Sequence, residues 1–336
     1  MTNLQLLWFL LIGVLFSGFF FLEGFDFGIG MAVRFFAKDR DERDVVIQTI
    51  GPHWDGNEVW LITAGGAMFA SFPMWYASLF SGYYIVLFLI LVALIFRGVS
   101  FEFRANMRTD AWRNFWEWAS TIGSFCAAFL FGMMFTSMIQ GVPLDKNGNI
   151  FGSFTTYVNW FSIVGGVAVS LLCFIHGLNF LRLKTSGELR ERAEKWSKVL
   201  YPVLLAGEVV FVILLYLTTD FFSLKAASTW SILVALVIFT LIAWWGAMAS
   251  HDWVSFLASG LSLVSVVVLI FNGLFPRVMI GVNNVNSILI KNASSSPYTL
   301  HLMTILTLSI LPIVLIYFIW SYWVFYKRLR SPKQAA

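Results

Sequence analysis

The sequence predicts an all-α, polytopic integral membrane protein with about eight transmembrane helices. Three observations lead there. Of the 336 residues, 59% are hydrophobic and only 12% are charged, whereas a soluble domain carries about 25% charged residues. The mean hydropathy is +0.80. The apolar residues also fall into repeated runs of about 20, the length that crosses the hydrocarbon of a bilayer as a helix. A net charge of +4 does not point to nucleic acid, because a basic excess in a membrane chain gathers in cytoplasmic loops.

Taken in order, the eight runs cover about 6–33, 75–96, 120–140, 158–180, 200–217, 227–248, 254–273 and 300–326. A further apolar piece, about 59–72, is too short to span. It contains Gly65 and Gly66 and stops at Pro73, which predicts a short interfacial or re-entrant helix. The first run is not a secretory leader, since no basic stretch precedes it and Glu23 and Asp26 sit at its far end. The connections are short and leave no space for a soluble domain. The chain therefore reads as one transmembrane domain over 1–336. Eight helices divide into two four-helix bundles, 1–185 with the acidic loop and 186–336, broken at the basic stretch around Arg190.

Orientation follows from the basic residues. With a cytoplasmic N-terminus, three inner segments carry Arg97, Arg104, Arg108 and Arg113, then Arg182 through Lys198, then Lys327, Arg328, Arg330 and Lys333. Lys146, Lys225, Arg277 and Lys291 fall outside, together with Arg34, Lys38, Arg40 and Arg43. The balance predicts both termini inside, although the last four basic residues weigh against it.

Ionisable residues inside a span cost about 2.5–3.5 kcal/mol each on insertion scales, so they are functional candidates. Glu23 and Asp26 stand three apart and share one helix face, as do Asp55 and Glu58. Asp55, between Trp54 and Gly56 and just after Pro52, is the acid most suited to passing protons from a half-wet cavity. Asp26 and Glu58 suit pairing or capping, and Arg97, Glu102 and Arg104 suit pairing with one another. His176 lies well inside a span, where it is either an axial haem ligand or, the favoured reading, bonded to a neighbouring helix. Cys126 and Cys173 lack metal spacing and read as buried thiols. Phosphate loops, zinc spacings and nucleophile elbows are absent from the sequence.

Several stretches resemble subunit II of the cytochrome bd-type quinol oxidases. They include Phe21-Leu22-Glu23-Gly24-Phe25-Asp26-Phe27-Gly28 and the run Gly51-Pro52-His53-Trp54-Asp55-Gly56-Asn57-Glu58-Val59-Trp60-Leu61. Further on come Thr63-Ala64-Gly65-Gly66-Ala67, then Arg97-Gly98-Val99-Ser100-Phe101-Glu102-Phe103-Arg104, Gly141-Val142-Pro143 and Trp320-Ser321-Tyr322-Trp323. The resemblance covers essentially the whole chain. It implies a haem-free subunit of a bacterial cell-membrane complex, packed against subunit I, which carries haems b and d and oxidises quinol. The complex reduces O2 to water with protons taken from the cytoplasm. Asp55 is then on the proton path, with Glu23 and Asp26 as further candidates. Trp54, Gly56, Asn57, Glu58, Trp60, Gly65, Gly66, Arg97, Glu102 and Arg104 form the structural motif. A small accessory transmembrane subunit is a further candidate partner, and a quinone or lipid a candidate ligand of this subunit. Two departures stand out. The connection from about 218 to 226 is short where some members have a long one, and Glu23 stands where others have Asp. The alternative outside the family is a stand-alone proton-coupled transporter using Glu23, Asp26 and Asp55.

Overall fold

The computed structural model describes residues 1–152 and 154–329. Arg330 and Lys333, counted above among the basic residues, lie outside the described residues. The helices are α1 (Asn3–Phe35), α2 (Arg40–Ile50), α3 (Trp54–Ser71), α4 (Pro73–Gly82), α5 (Tyr84–Asn106), α6 (Asp110–Gln140) and α7 (Phe154–Tyr157), followed by α8 (Trp160–Lys184), α9 (Glu188–Thr218), α10 (Phe221–Met248), α11 (Asp252–Leu274), α12 (Ile290–Ala293) and α13 (Pro297–Val324). Strands β1 (Arg277–Met279) and β2 (Ile288–Leu289) pair in the last long loop. Eight of the helices are long and apolar enough to cross a membrane: α1, α5, α6, α8, α9, α10, α11 and α13.

Local chemistry sets the helix ends. Thr2 and Gln5 form a capping box at α1, Asn159 and Ser162 form one at α8, and Ser296 caps α13 ahead of Pro297. Asp39 caps α2, whose first turn carries Asp41 and Glu42 where the helix dipole favours acids. Pro73 separates α3 from α4. The second span consequently begins at Tyr84 rather than near residue 75, because Pro73 and the turn at Tyr83 break the apolar run into two helices. The short helix begins at Trp54 instead of 59, so the whole Trp54–Glu58 stretch is helical.

α1 is the axis of the molecule. From Glu23 to Val33 every residue of it is buried, against α3, α6, α8 and α11. It crosses α8 at Gly28 and Gly177, where a Cβ on Gly28 would fall 2.2 Å from the Cys173 carbonyl oxygen. Small residues at such a crossing let two backbones meet, the usual means of close helix packing in lipid.

Two helices fix the topology. α3 runs antiparallel to α1: Asn57 bonds Asp26, Trp60 lies over Gly18, and Trp75 just beyond α3 reaches Phe9. At 18 residues it is about 27 Å long, close to the thickness of the hydrocarbon core. α13 runs parallel to α1, with Trp8 Nε1 donating to the Leu300 carbonyl at 3.2 Å near one end and Tyr322 bonded to Asn57 near the other. Thr2 and Leu329 therefore lie at opposite ends of the bundle, and the expectation that both termini share one side is overturned. The return passage through α3 is the physical reason. It also moves Arg34, Lys38, Arg40 and Arg43 to the end that holds Arg104, Arg182, Arg190 and Arg328. There Glu117 pairs with Arg34, Arg43 and Arg104, and Glu42 pairs with Arg192. Arg277 and Asp220 pair at the other end.

Candidate functional site

The site forms where α1, α3, α5 and α13 meet. Glu23 and Asp26, one turn apart on α1, are fully buried. Arg97 on α5, also fully buried, donates to Glu23 Oε1 and, at 2.8 Å, to Glu58 Oε1 on α3. Its guanidinium lies 5.1 Å from the Phe27 ring and 5.5 Å from the Phe101 ring, the geometry of a cation held over aromatic faces. Asn57 donates from Nδ2 to Asp26 Oδ2 at 2.7 Å and accepts at Oδ1 from the Tyr322 hydroxyl at 2.8 Å. Tyr322 stacks on His53 with ring centroids 4.1 Å apart. Burial, with Lys184 close by, pushes the His53 imidazole down to about 4, so it stacks as a neutral ring.

Three carboxylates thus face one guanidinium, and Glu23 Oε2, Arg97 Nε and Arg97 Nη2 are buried without a hydrogen-bond partner among the described residues. Such a cluster can take up and release a proton. It is not sealed from outside. Glu58 also lines a groove of about 610 Å³ between α3 and α5, together with Asp55, Glu102, Trp54 and Gly98. Asp55 occupies the first turn of α3, exposed, and Asn57 two residues later is fully buried. The single turn Trp54–Glu58 therefore presents one acid outward and anchors another inward.

The structure brings together Glu23, Asp26, Asn57, Glu58 and Arg97 from the predicted set, with Asp55 one turn away. It separates others. Arg97, Glu102 and Arg104 do not pair with one another. Arg104 bonds Glu117 at 3.0 Å and Asp44 at 2.5 Å, while Glu102 faces the groove. The reason is helical phase: Arg97 and Arg104, seven apart, share the inner face of α5, and Glu102 lies off it. Trp54 packs on Phe101, and Trp60 lies against Gly18 and Phe318. At Gly65 and Gly66 an added Cβ would meet nothing within 4 Å. Among the described residues, nothing packs against the open side of those glycines. Sequence reasoning missed Tyr322 and His53, which are joined only by folding, and Glu117, whose place in Trp116-Glu117-Trp118 was a readable sign of a buried acid.

His176 does not fit a haem. It is fully buried, its Nδ1 lies 2.8 Å from the Ser259 hydroxyl and its Nε2 3.0 Å from the Phe21 carbonyl, and its ring stacks on Phe256. Among the described residues no group of three His, Cys, Asp or Glu could hold a metal ion. His176→Ala is expected to leave the haem absorbance of the assembled complex unchanged. Loss of one haem band in that variant would make His176 a ligand.

Fold and site together define a multi-pass helical membrane subunit organised round a buried acid–guanidinium cluster. Residues 4–325 match the family described as cytochrome bd terminal oxidase subunit II. Cytochrome bd ubiquinol oxidase subunit 2 of Bacillus subtilis is 44% identical over 330 residues, spanning 98% of both chains. Cytochrome bd-I ubiquinol oxidase subunit 2 of Escherichia coli is 34% identical, spanning 97% of this chain and 95% of that one. The fold is similar to that of a chain in the bd oxidase from Geobacillus thermodenitrificans, with a TM-score of 0.72 across 96% of this chain and 97% of the other at 16% identity. The chain belongs to the cytochrome bd terminal oxidase subunit II family, which displaces the stand-alone transporter reading.

Proposed function

We propose that this chain is the haem-free subunit of a bd-type terminal oxidase, a complex that oxidises quinol and reduces O2 to water in aerobic respiration. Subunit I carries haems b and d, and this chain packs against it and feeds protons to its oxygen chemistry. The observation that carries the reading is the turn Trp54–Glu58, which links an exposed Asp55 to the buried acids through Glu58 and Arg97. A proton taken up at Asp55 passes to Glu58, which Arg97 bridges to Glu23, and Glu23 and the neighbouring Asp26 relay or buffer it.

The end of the bundle that holds Asp55 faces the cytoplasm in this reading. The support is its basic excess, from Arg34 to Arg43 on α1 and α2 and from Arg182 to Lys198 on α8 and α9, against Lys146, Lys225, Arg277 and Lys291 at the other end. The C-terminus is then cytoplasmic and the N-terminus external. A cytoplasmic proton path through Asp55 needs no dip into the membrane on this topology. Subunit I covers the face formed by α3, α5 and α13. Its supports are the open glycines of α3 and the bareness of α13, of which only Leu300 is buried.

Asp55→Asn tests the path. The complex is expected to assemble with unaltered haem spectra and to consume O2 at least about tenfold more slowly, a modest share of what a positioned proton donor contributes. Turnover at the unmodified rate would remove Asp55 from the path.

A further inference from the structure

Beside α13, the bundle leaves a lateral groove of about 520 Å³ bounded by α1, α8, α11 and α13, with His53, just ahead of α3, at its edge. Two walls come from residues one helical turn apart, Phe21 and Phe25 on α1 and Trp253 and Leu257 on α11, and Tyr322 on α13 and Tyr326 just past its end complete the lining. Pairs at this spacing stack along a helix face, so the groove runs lengthwise beside the helices and into the hydrocarbon. Its mouth is cationic, with Lys184, Lys327 and Arg328. Lys184 Nζ donates to the Phe325 carbonyl and so clasps the end of α13. The carboxylate nearest the mouth is Asp252, and it is shared by Arg182, Arg190 and Arg328 at 2.9–3.0 Å. Glu194 also lies 3.9 Å from Arg182 and 3.5 Å from Arg190, and these two acids against the three guanidiniums, Lys184 and Lys327 leave the mouth positive. Lys327 is exposed.

We propose that this groove holds an anionic phospholipid of the leaflet at this end of the bundle, with its phosphate on Lys184, Lys327 and Arg328 and an acyl chain along the aromatic track. The charge and the shape select the same molecule. A neutral headgroup, such as a quinone ring, leaves the mouth's cations uncompensated. A free anion uses the mouth and leaves the apolar track without a role. A phosphoryl group joined to a hydrocarbon chain satisfies both, and the lengthwise course of the groove matches the direction of acyl chains in a bilayer. Basic side chains at a membrane surface attract anionic lipid individually and cumulatively.

The test uses the assembled complex, purified with its haem-bearing partner and exchanged into nanodiscs of mixed phosphatidylglycerol and phosphatidylethanolamine. Lipid retained after detergent washing is measured by mass spectrometry, and the haem absorbance spectrum reports assembly. The unmodified complex is expected to retain phosphatidylglycerol in preference to phosphatidylethanolamine. Lys327→Gln is expected to lower that retention about fivefold, the factor equivalent to about 1 kcal/mol per basic residue. Adding Arg328→Gln lowers it further, while Asp252 keeps Arg182 and Arg190 as partners. Leu257→Trp, which fills the track and leaves the mouth intact, is expected to lower retention as well. Equal retention of both lipids, or unchanged retention in Lys327→Gln and Leu257→Trp, overturns the proposal. Loss in the charge variants with none in Leu257→Trp also overturns it and assigns the mouth to free phosphate, and quinone retained in place of phospholipid does the same in favour of a neutral ligand.

Discussion

Arg97→Met is expected to abolish accumulation of the assembled complex. The side chain is fully buried and is bonded to both Glu23 and Glu58. Removing it leaves Glu23 and Asp26 buried with no cation, and stranding a charge in this way costs about 3–5 kcal/mol, a large fraction of the stability of a typical domain. The cost arises from the carboxylates left behind and not from the lost side chain alone. Arg97→Met combined with Glu23→Gln is therefore expected to recover a substantial part of the haem-containing complex in membranes, because the second substitution neutralises the acid that the first one strands. Asn57 still anchors Asp26 in that double variant. Haem absorbance per unit membrane protein reads both effects. Normal accumulation of Arg97→Met would show that the cluster contributes nothing to stability, and a double variant no better than the single would show that the loss does not come from the stranded Glu23. Arg97→Lys is a sharper probe of geometry. An ammonium keeps the charge but lacks the fork that reaches two carboxylates at once, so intermediate accumulation is expected.

Gly65→Leu carries the second large effect, and it works through the opposite route. The added side chain points into open space within this chain, so the subunit itself is expected to fold and insert normally. What fails is the union with subunit I, since a small residue on an exposed helix face permits close approach of a neighbouring helix in lipid. The expected result is subunit II present in membranes at its usual level with several-fold less haem-bearing partner co-purifying. Undiminished co-purification would remove this face of α3 from the interface. The contrast with Arg97→Met is diagnostic, because one lesion acts inside the subunit and the other between subunits.

Much of this was legible in the sequence. The membrane class, the eight long apolar helices and the acids of α1 and α3 follow from hydropathy and from the cost of charge in lipid. The course of the chain was harder to read. Hydropathy judged α3 by its apolar stretch after Glu58, yet the helix begins at Trp54, and its polar first turn is shielded by α1, α5 and α13. A window that averages Asp55, Asn57 and Glu58 with their neighbours cannot register that their partners lie on other helices. Loss of that passage inverted the expected relation between the termini and assigned Arg34 to Arg43 to the wrong end. Pairing was also out of reach. Arg97 is as close in sequence to Glu102 as to any acid, but the five-residue offset turns Glu102 off the inner face of α5, and Glu23, 74 positions away, takes its place.

The way α13 is held has a consequence for the order of assembly. Its polar attachments lie near its two ends: Trp8 on Leu300 and Thr304 at one, Tyr322 on Asn57 and Lys184 on the Phe325 carbonyl at the other. Between them Ile313, Ile316 and Ile319 stay uncovered. In water that middle stretch would drive collapse onto the nearest surface, but acyl chains are as apolar as isoleucine and exert no such pull. α13 is thus pinned like a strut near its tips and bare along much of its length. If subunit I docks on this face as proposed, a newly made subunit waits in the bilayer with its slot already open, and subunit I has no packed helix to pry away before it enters.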